Sequence, residues 1–590
     1  MHRIDGPGHS NNLFTEGDPT QAIPATVVTD DWANAVQEEI VQVILGAGIT
    51  LNKPVNTQLR DAINLLIEPI IALSSVAALR ALPATSHFGV RRTLGYYTPG
   101  DGGGETYWWN ASDTRADNGG NVLQPDTLPA SGRWNAMQVN NVFNARRWGC
   151  KADGTTDDSA RAQAMFNQIN SEKGGKAYFP RTASFYRLVD VRVYSHTEVF
   201  GDSYQWPFNG DGGSQITIMT HSGTKAIFWC DAAVNVRFRD LHLVGPGDYQ
   251  AQASKGIELR TTTTYTEIRG CGFRAFTRQA IHMHGTANTN VVEDCIIFGA
   301  AAIVADLTEP IGALQIDSGE NWVYGCQITA GHNQNYPSNT NLYMCCLLDK
   351  GFFNWYENNV FDFGDIGAYV AGQGAKFDFC RAGSAWGHCW YLHDLVAPGS
   401  LSGVKLSYCI GDKLSSGTHA NNTFDVFHVT DDSGLTGGII AEHCIASGDA
   451  HRYGWYEGGQ DGAGGGINQG TVLFDFKCQG ELTAKWAGRN DQVPGPIWVN
   501  KGWVPAGDGD TTPSVAGIEH LILFNSAPTD ITDFDGHSNN QEITLYTTTG
   551  NTTLKHNASL MLLPGGSDYT IPAFVMIKLK RIGSTWVKIS

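Results

Sequence analysis

Nine short segments between Val236 and Cys478 repeat one grammar: an apolar residue, two mostly polar ones, a small or apolar residue, a variable one and usually another small or apolar one. They begin at Phe238, Ile268, Val292, Val323, Tyr356, Phe377, Leu406, Ala441 and Leu473. Their spacing is irregular: Cys380 follows Asn359 by 21 residues, whereas Cys444 follows Cys409 by 35. No helical periodicity fills the intervals. A variable period of this size predicts a solenoid, a stack of β-coils with loops of unequal length between the strands. Such a chain makes a rod, and every coil adds the same outward positions to one continuous surface.

The third position of the grammar is Asp240, Gly270, Asp294, Gly325 and Asn358 in five of the first six segments. These residue types tolerate a left-handed backbone, so the position is a bend between two short strands. The fourth position is Leu241, then six cysteines interrupted by Asn359, then Phe476. A free cysteine packs as a small hydrophobe, so the run predicts an interior ladder rather than metal ligands. No paired CxxC spacing is present, and 12 cysteines in 590 residues are too sparse for a disulfide framework.

Composition narrows the function. Forty Lys and Arg against 58 Asp and Glu give a net charge of −18, so no basic stripe is available for nucleic acid. The apolar stretches are too short to cross a bilayer. The opening Met1–Gly8 lacks the apolar core and cleavage site of a secretory signal, so export by ordinary secretion is not expected. The glycine-rich run Gly458–Gly466 is not a phosphate loop, because no Lys-Ser/Thr and no helix follow it.

Five regions are expected. Residues 1–80 are helical: Thr29 caps a first helix ending at Gly46–Gly48, with Trp32, Val36, Ile40, Val43 and Ile44 on one face, and a second runs from about Thr57 to Leu66. This apolar stripe needs a partner. Residues 81–139 form a Gly- and aromatic-rich β module, 140–480 the solenoid, 481–514 a Pro/Gly/Trp-rich connector, and 515–590 a carboxyl-terminal β-sandwich with antiparallel strands such as Phe574–Ile582.

Val142–Asp158, with its core Asp153-Gly-Thr-Thr-Asp-Asp158, followed by a short helix over Ala160–Ile169 and by Gly174–Pro180, resembles the opening of the pectate-lyase-like parallel β-helix. The family's Gly-Ala-Lys-Gly-Asp-Gly is Trp148-Gly-Cys-Lys-Ala-Asp-Gly154 here. A solenoid end must be capped, so Asp157 and Asp158 are expected to be cap hydrogen bonders. Met1–Gly8, Phe14–Asp18 and Ala25–Trp32 resemble the virion-attachment end of bacteriophage tail fibres and tailspikes. Gly95–Gly104 with Asp117–Gly120 is similar to the module preceding the β-helix in many tailspikes, and Leu523–Asn525, Gln541–Thr544 and Gly550–Thr553 resemble their terminal β-sandwich. The resemblance implies an all-β, right-handed parallel β-helix in a homotrimer, assembled in the host cytoplasm and carried on the virion tail. Its partners would be tail or baseplate proteins at the amino-terminal end and a bacterial surface polysaccharide, which many such proteins cleave. A non-catalytic receptor-binding or structural tail protein with the same fold remains the alternative.

The chemistry is expected on the strand preceding each repeat segment. Alternation places one outward column at Glu258, His282, Gln315, Leu347, Tyr369, Tyr391, His428 and Tyr456, and a second at Arg260, His284, Asp317, Asp349, Ala371, His393 and Thr430. Asp317 and Asp349 would then lie about 5 Å apart on adjacent coils, close enough to divide acid and base roles. That spacing suits a retaining glycosidase, and Glu320 in the next loop could supply a wider, inverting pair. Catalysis is assigned to Asp317, Asp349 and Glu320. Substrate binding is assigned to His282, His284, Tyr369, Trp386, Tyr391, His393 and His428. No metal or cofactor is expected. A second acidic set, Glu293, Glu357, Asp378 and Glu442, falls on another face just before the bend.

Overall fold

A computed structural model describes the chain except at residues 1, 68–71, 138–139, 204–213, 248–252, 301–308, 331–343, 384–386, 394–400, 414–423, 431–437, 449–452, 458–471, 475, 479–483, 488–496, 516–517 and 538. It divides into two compact units, residues 1–140 with 146–149, and the remainder.

The first unit opens with helices Asp30–Gly46 and Gln58–Ile67, the first capped by the Thr29 hydroxyl, which accepts from the Trp32 amide. Of the expected stripe on the first helix only Ile44 is buried and Ile40 is exposed; Leu45 beside it, and Ile63 and Leu66 on the second helix, are exposed as well. Downstream, strands Val90–Arg92, Thr106–Asn110, Arg133–Ala136 and Val122–Leu123 pair antiparallel in that spatial order. Their core is Val76, Leu79, Tyr96, Tyr107, Leu123 and Trp134. The Asp101 carboxylate closes the glycine-rich turn by accepting from the amides of Tyr96, Tyr97, Thr98 and Gly103.

The second unit is a parallel β-helix. Each coil contributes a strand to three sheets: sheet one carries the repeat segments, sheet two follows the bend, and sheet three precedes the next segment. Sheets two and three each hold 11 described strands, paired in parallel from one coil to the next. Helix Ser159–Ser171 buries Ala162, Met165, Phe166 and Ile169 at the start. Asp158 works as expected of a cap, accepting from the amides of Lys151 and Ala152, and Asp157 accepts from Ser159. Parallel pairing continues past residue 480, through Ile497–Pro505 and Ile518–Leu523 to Glu542–Thr547, where antiparallel partner Met576–Ile582 takes over around a core that includes Leu545, Leu579 and Trp586.

The grammar has the predicted physical meaning. Asp240, Gly270, Asp294, Gly325 and Asn358 have φ between 51° and 67°, as do Phe379, Tyr408 and His443 in later coils. A left-handed non-glycine costs about 1–2 kcal/mol. Stacking of Phe379 on Tyr408 at 5.0 Å and of Tyr408 on His443 at 4.7 Å offsets that cost along one corner. The cysteines form the interior ladder, and Cys295, Cys326, Cys409 and Cys444 point their thiols at the carbonyls of Ile268, Val292, Phe377 and Leu406 one coil below.

At the opposite bend a second ladder runs through buried asparagines. Asn290 Nδ2 donates to Asn321 Oδ1 at 3.1 Å, and Asn321 Nδ2 to Asn354 Oδ1 at 3.2 Å. Each Oδ1 also accepts the backbone amide of the residue one coil below. Asn321 is the middle rung. Replacing it with Ala should leave the Asn290 amide groups and Asn354 Oδ1 short of partners, at about 1–3 kcal/mol for each buried group stranded. Asn321→Ala is therefore expected to unfold at lower denaturant and faster than the parent, measured by tryptophan fluorescence. Equal midpoints would show that the ladder carries no stability.

Candidate functional site

Sheet three carries the residues expected to do chemistry. Strands Ala253–Arg260, Ile281–Met283 and Ile311–Ile316 pair in the expected register, Glu258 opposite His282 and His282 opposite Gln315. The next strand, Met344–Asp349, does not. Leu347 lies opposite Leu314 and Asp349 opposite Ile316, so the outward residue is Leu348 and the neighbour of Asp317 on the next coil is Lys350, whose amide bonds the Ile316 carbonyl. This one-residue shift reverses the face of every side chain in that strand. From Ile366–Val370 onward the register is again as expected.

The shift corrects the placement of Asp349. It points inward and is 0 % exposed. Its Oδ1 accepts from the Gly351 amide at 2.8 Å and from Asn354 Nδ2 at 2.9 Å, which makes it the terminal acceptor of the asparagine ladder. Burial pushes its pKa up to about 6, against the lowering effect of those hydrogen bonds. Asp317 and Asp349 thus lie on opposite faces of the sheet and do not form the expected carboxyl pair. Glu320 is exposed in a left-handed bend, where its backbone pairs with Thr289 and Phe352 in the neighbouring coils. Among the described residues its carboxylate makes no contact with Asp317.

Asp317 instead joins a cluster of other groups. Its Oδ2 lies 2.9 Å from His282 Nε2, and Gln315 Nε2 donates to both its oxygens. Lys255 Nζ is 2.9 Å from His282 Nδ1 and 2.5 Å from Glu258 Oε1. An ammonium can only donate, so Nδ1 is the acceptor and the His282 proton sits on Nε2, donated to Asp317. Glu258 also accepts from Arg260 and lies 3.2 Å from His284 Nε2. Burial alone would raise both acids. For Asp317 the hydrogen bond of His282, then Gln315 and the charge of Lys350, hold it below the ordinary carboxylate range. For Glu258 the hydrogen bond of His284 and the charge and hydrogen bond of Lys255 hold it far below that range. Asp317 remains 26 % accessible and His284 32 %, so the cluster is reachable from one side.

The remaining predicted residues gather elsewhere. Tyr369 and Tyr391 are outward, but they are buried in a satellite apolar cluster with Cys345, Leu348, Ile366 and Ala371 rather than standing as open stacking platforms. His393 and His428 are buried beside Tyr391. These rings occupy coils two to four beyond Asp317, about 10–20 Å away at ordinary strand spacing. Trp386 and the Gly458–Gly466 run lie outside the described residues. The second acidic set lies on sheet one. Glu293 borders a groove of about 760 Å³ with Glu198, Glu267, Trp322 and Tyr324. Its carboxylates are ion-paired, Glu198 with Lys176, Glu267 with Arg237 and Glu293 with Arg269. Glu357 and Asp378 are exposed and face each other across coils, and Glu442 pairs with Lys405.

Comparison with known proteins bears out the resemblance to phage tail proteins. Residues 72–140 match the small four-stranded β-sheet domain of phage tail proteins. An uncharacterised protein of Escherichia coli K12, StfP, is 36% identical over 74 residues, which covers 11% of this chain and 35% of that protein. The chain is also similar in structure to tailspike gp49 of Acinetobacter baumannii bacteriophage Fri1, a capsular polysaccharide depolymerase (TM-score 0.46, 15% identity, 78% of this chain and 71% of that one). Tailspike gp42 of Acinetobacter phage AS12 is similar at a TM-score of 0.47 and 13% identity, over 85% of this chain and 76% of that one. No helix of the described residues is long and apolar enough to cross a membrane.

Several contributing groups escaped the sequence. Lys255 sits three residues before Glu258, at the wrong parity for an outward column. Lys350 was hidden by the register shift. His388 and Asp425 each lie two residues ahead of paired strand positions Trp390 and Phe427, a signal that aligning upstream of the strands would have found. The buried Asp349 gives a pH test. Its raised pKa means that its contribution to stability is fully present below the unfolded value, 3.8, and is lost as pH rises through about 6. Asp349→Asn keeps the acceptor Oδ1 without the charge. Relative to the parent it should gain about 2 kcal/mol between pH 4 and pH 7, most of the span set by about 1.4 kcal/mol per pKa unit. A pH-independent difference in unfolding midpoint would refute that assignment.

Proposed function

We propose that this chain is a phage tailspike whose β-helix recognises and cleaves a bacterial surface polysaccharide, a capsule, O-antigen or exopolysaccharide, during host adsorption. The observation that carries this reading is the phage tail domain at residues 72–140, in one chain with a long parallel β-helix. A rod of this kind offers the repeated surface that a repetitive glycan requires, and a homotrimer would multiply that contact.

The chemistry is assigned to the Asp317 cluster. Asp317, held ionised, is the base or nucleophile. His282 fixes its orientation, and Lys255 fixes the tautomer of His282. Arg260, His284 and Lys350 border the same position and favour an acidic sugar. A base beside cations suits abstraction of the proton next to a uronate carboxylate as well as activation of water. Unsaturated, ultraviolet-absorbing products would mark a lyase, and new reducing ends without that absorbance a hydrolase. Asp317→Asn is expected to lower turnover of the host polysaccharide by at least about 100-fold, the scale of lost general base catalysis, with an unchanged unfolding temperature. A full rate in that variant would remove Asp317 from the mechanism.

One observation favours the alternative, a tailspike that binds without cleaving. Among the described residues, no second accessible carboxyl contacts Asp317 to act as its general acid. Parent protein that leaves the polysaccharide's size distribution unchanged, while still retained on it, would establish the binder.

The helices before residue 72 are proposed to dock on the tail or baseplate, which would cover the exposed Ile40, Leu45, Ile63 and Leu66. Removing residues 1–71 should leave glycan binding and products as in the parent, while abolishing incorporation into virions in a complementation assay. Loss of glycan binding on truncation would refute this division of labour.

A further inference from the structure

The second cluster on sheet three contains a donor set that the Asp317 chemistry does not use. His388 and Asp425 occupy equivalent places ahead of neighbouring strands Trp390–His393 and Phe427–Thr430, and His428 lies on the second of these. All three are buried, Asp425 completely. One potential ligand atom from each lies within 4.8 Å of the other two. His428 Nδ1 is 2.6 Å from Asp425 Oδ2, and His388 Nδ1 is 4.0 Å from the same oxygen.

We propose that His388, Asp425 and His428 bind a first-row divalent cation of the zinc class, clamping two adjacent coils. Two imidazoles and one carboxylate are a donor set typical of zinc with one position left open. A tetrahedral ion with bonds of about 2.0 Å needs ligand spacings of about 3.3 Å. The two observed spacings bracket that value, so small side-chain rotations close the set. The tautomer is also suitable: the Asp425 amide donates to His388 Nδ1 at 3.1 Å, which marks that nitrogen as the unprotonated one. On binding, the ion takes the place of that amide and of the proton shared by His428 and Asp425, and the proton leaves to solvent. Tyr391 stacked on His388 and Tyr456 stacked on His428 limit the freedom of both rings.

The other three-donor set, Glu258, His282 and His284, is a poor competitor. Lys255 and Arg260 already bond the Glu258 oxygens, so a cation there would meet two positive charges.

The test uses full-length, tag-free protein stripped with chelator, equilibrated with zinc chloride and desalted. Elemental analysis should find one retained zinc per chain, and zinc should raise the unfolding temperature of the stripped protein. Cobalt in place of zinc should give the strong visible absorption of a tetrahedral site. His388→Ala combined with His428→Ala should lose the retained ion, and His284→Ala should keep it. No retained zinc in the parent, or equal zinc in the double variant, would overturn the proposal. If the double variant does not fold, the parent's cobalt spectrum decides: without tetrahedral bands the site is absent.

Discussion

Everything on the outer surface of this molecule depends on where each coil bends. The bend residue is held near φ 50–67° in every repeat from Asp240 to His443, and the residue after it is driven into the interior. That pairing of a left-handed residue with a buried Cys, Leu or Asn sets the phase of the strands on both sides. The thiol and asparagine ladders then tie the same position of each coil to the coil below. A side chain faces inward or outward because it is an odd or even number of residues from such an anchor, not because of its polarity.

Anchoring fails to transmit phase only where a loop intervenes. Sheet one and sheet two are separated by the bend alone, and the strand positions next to the bend keep the register of the repeat, Ile297 opposite Ile328 and Val323 opposite Tyr356, with a bulge only farther on, before Ala300. Sheet three is reached after stretches of widely differing length, and Met344–Asp349 is where its register departs by one residue from the expected one. The sequence Cys345-Cys-Leu-Leu-Asp349 has no polar alternation to fix its phase, so only its single charged residue points to an outward position. The structure puts that charge inside, where Asn354 and the Gly351 amide receive it. A carboxylate that ends a ladder of asparagines looks, in sequence, like any surface acid.

The architecture was legible for the opposite reason. The bend rule rests on local backbone preference, and the cysteine run rests on burial, so Asp240, Gly270 and Cys295 each declare their environment without reference to distant residues. The cap was legible too, because Asp157 and Asp158 bond amides within a few residues. Site chemistry is different in kind. The state of Asp317 is decided by His282 one coil away and, through it, by Lys255 two coils away. No spacing rule connects them, since loops of unrelated length lie between. The tyrosine and histidine column likewise looked continuous in sequence, but Leu348 and Lys350 divide it into a charged cluster and an apolar one.

Asp317 and Asp349 show how much this division matters. They sit on neighbouring coils, and Asp349 is paired with the residue immediately before Asp317. Yet Asp317 meets His282, Gln315 and Lys350 and is stabilised as an anion, whereas Asp349 meets the interior and is pushed toward its neutral form. Burial acts in the same direction on both. What separates them is the charge of the donors: the outer face brings an imidazole, an amide and an ammonium, and the inner face a side-chain amide, a backbone amide and the Tyr356 hydroxyl, all neutral. An acid–base division between two carboxyls requires both to reach one scissile bond, and the sheet itself stands between these two. A carboxyl that pairs with Asp317 in acid–base chemistry must therefore come from the outward side, from a neighbouring coil or an adjoining loop.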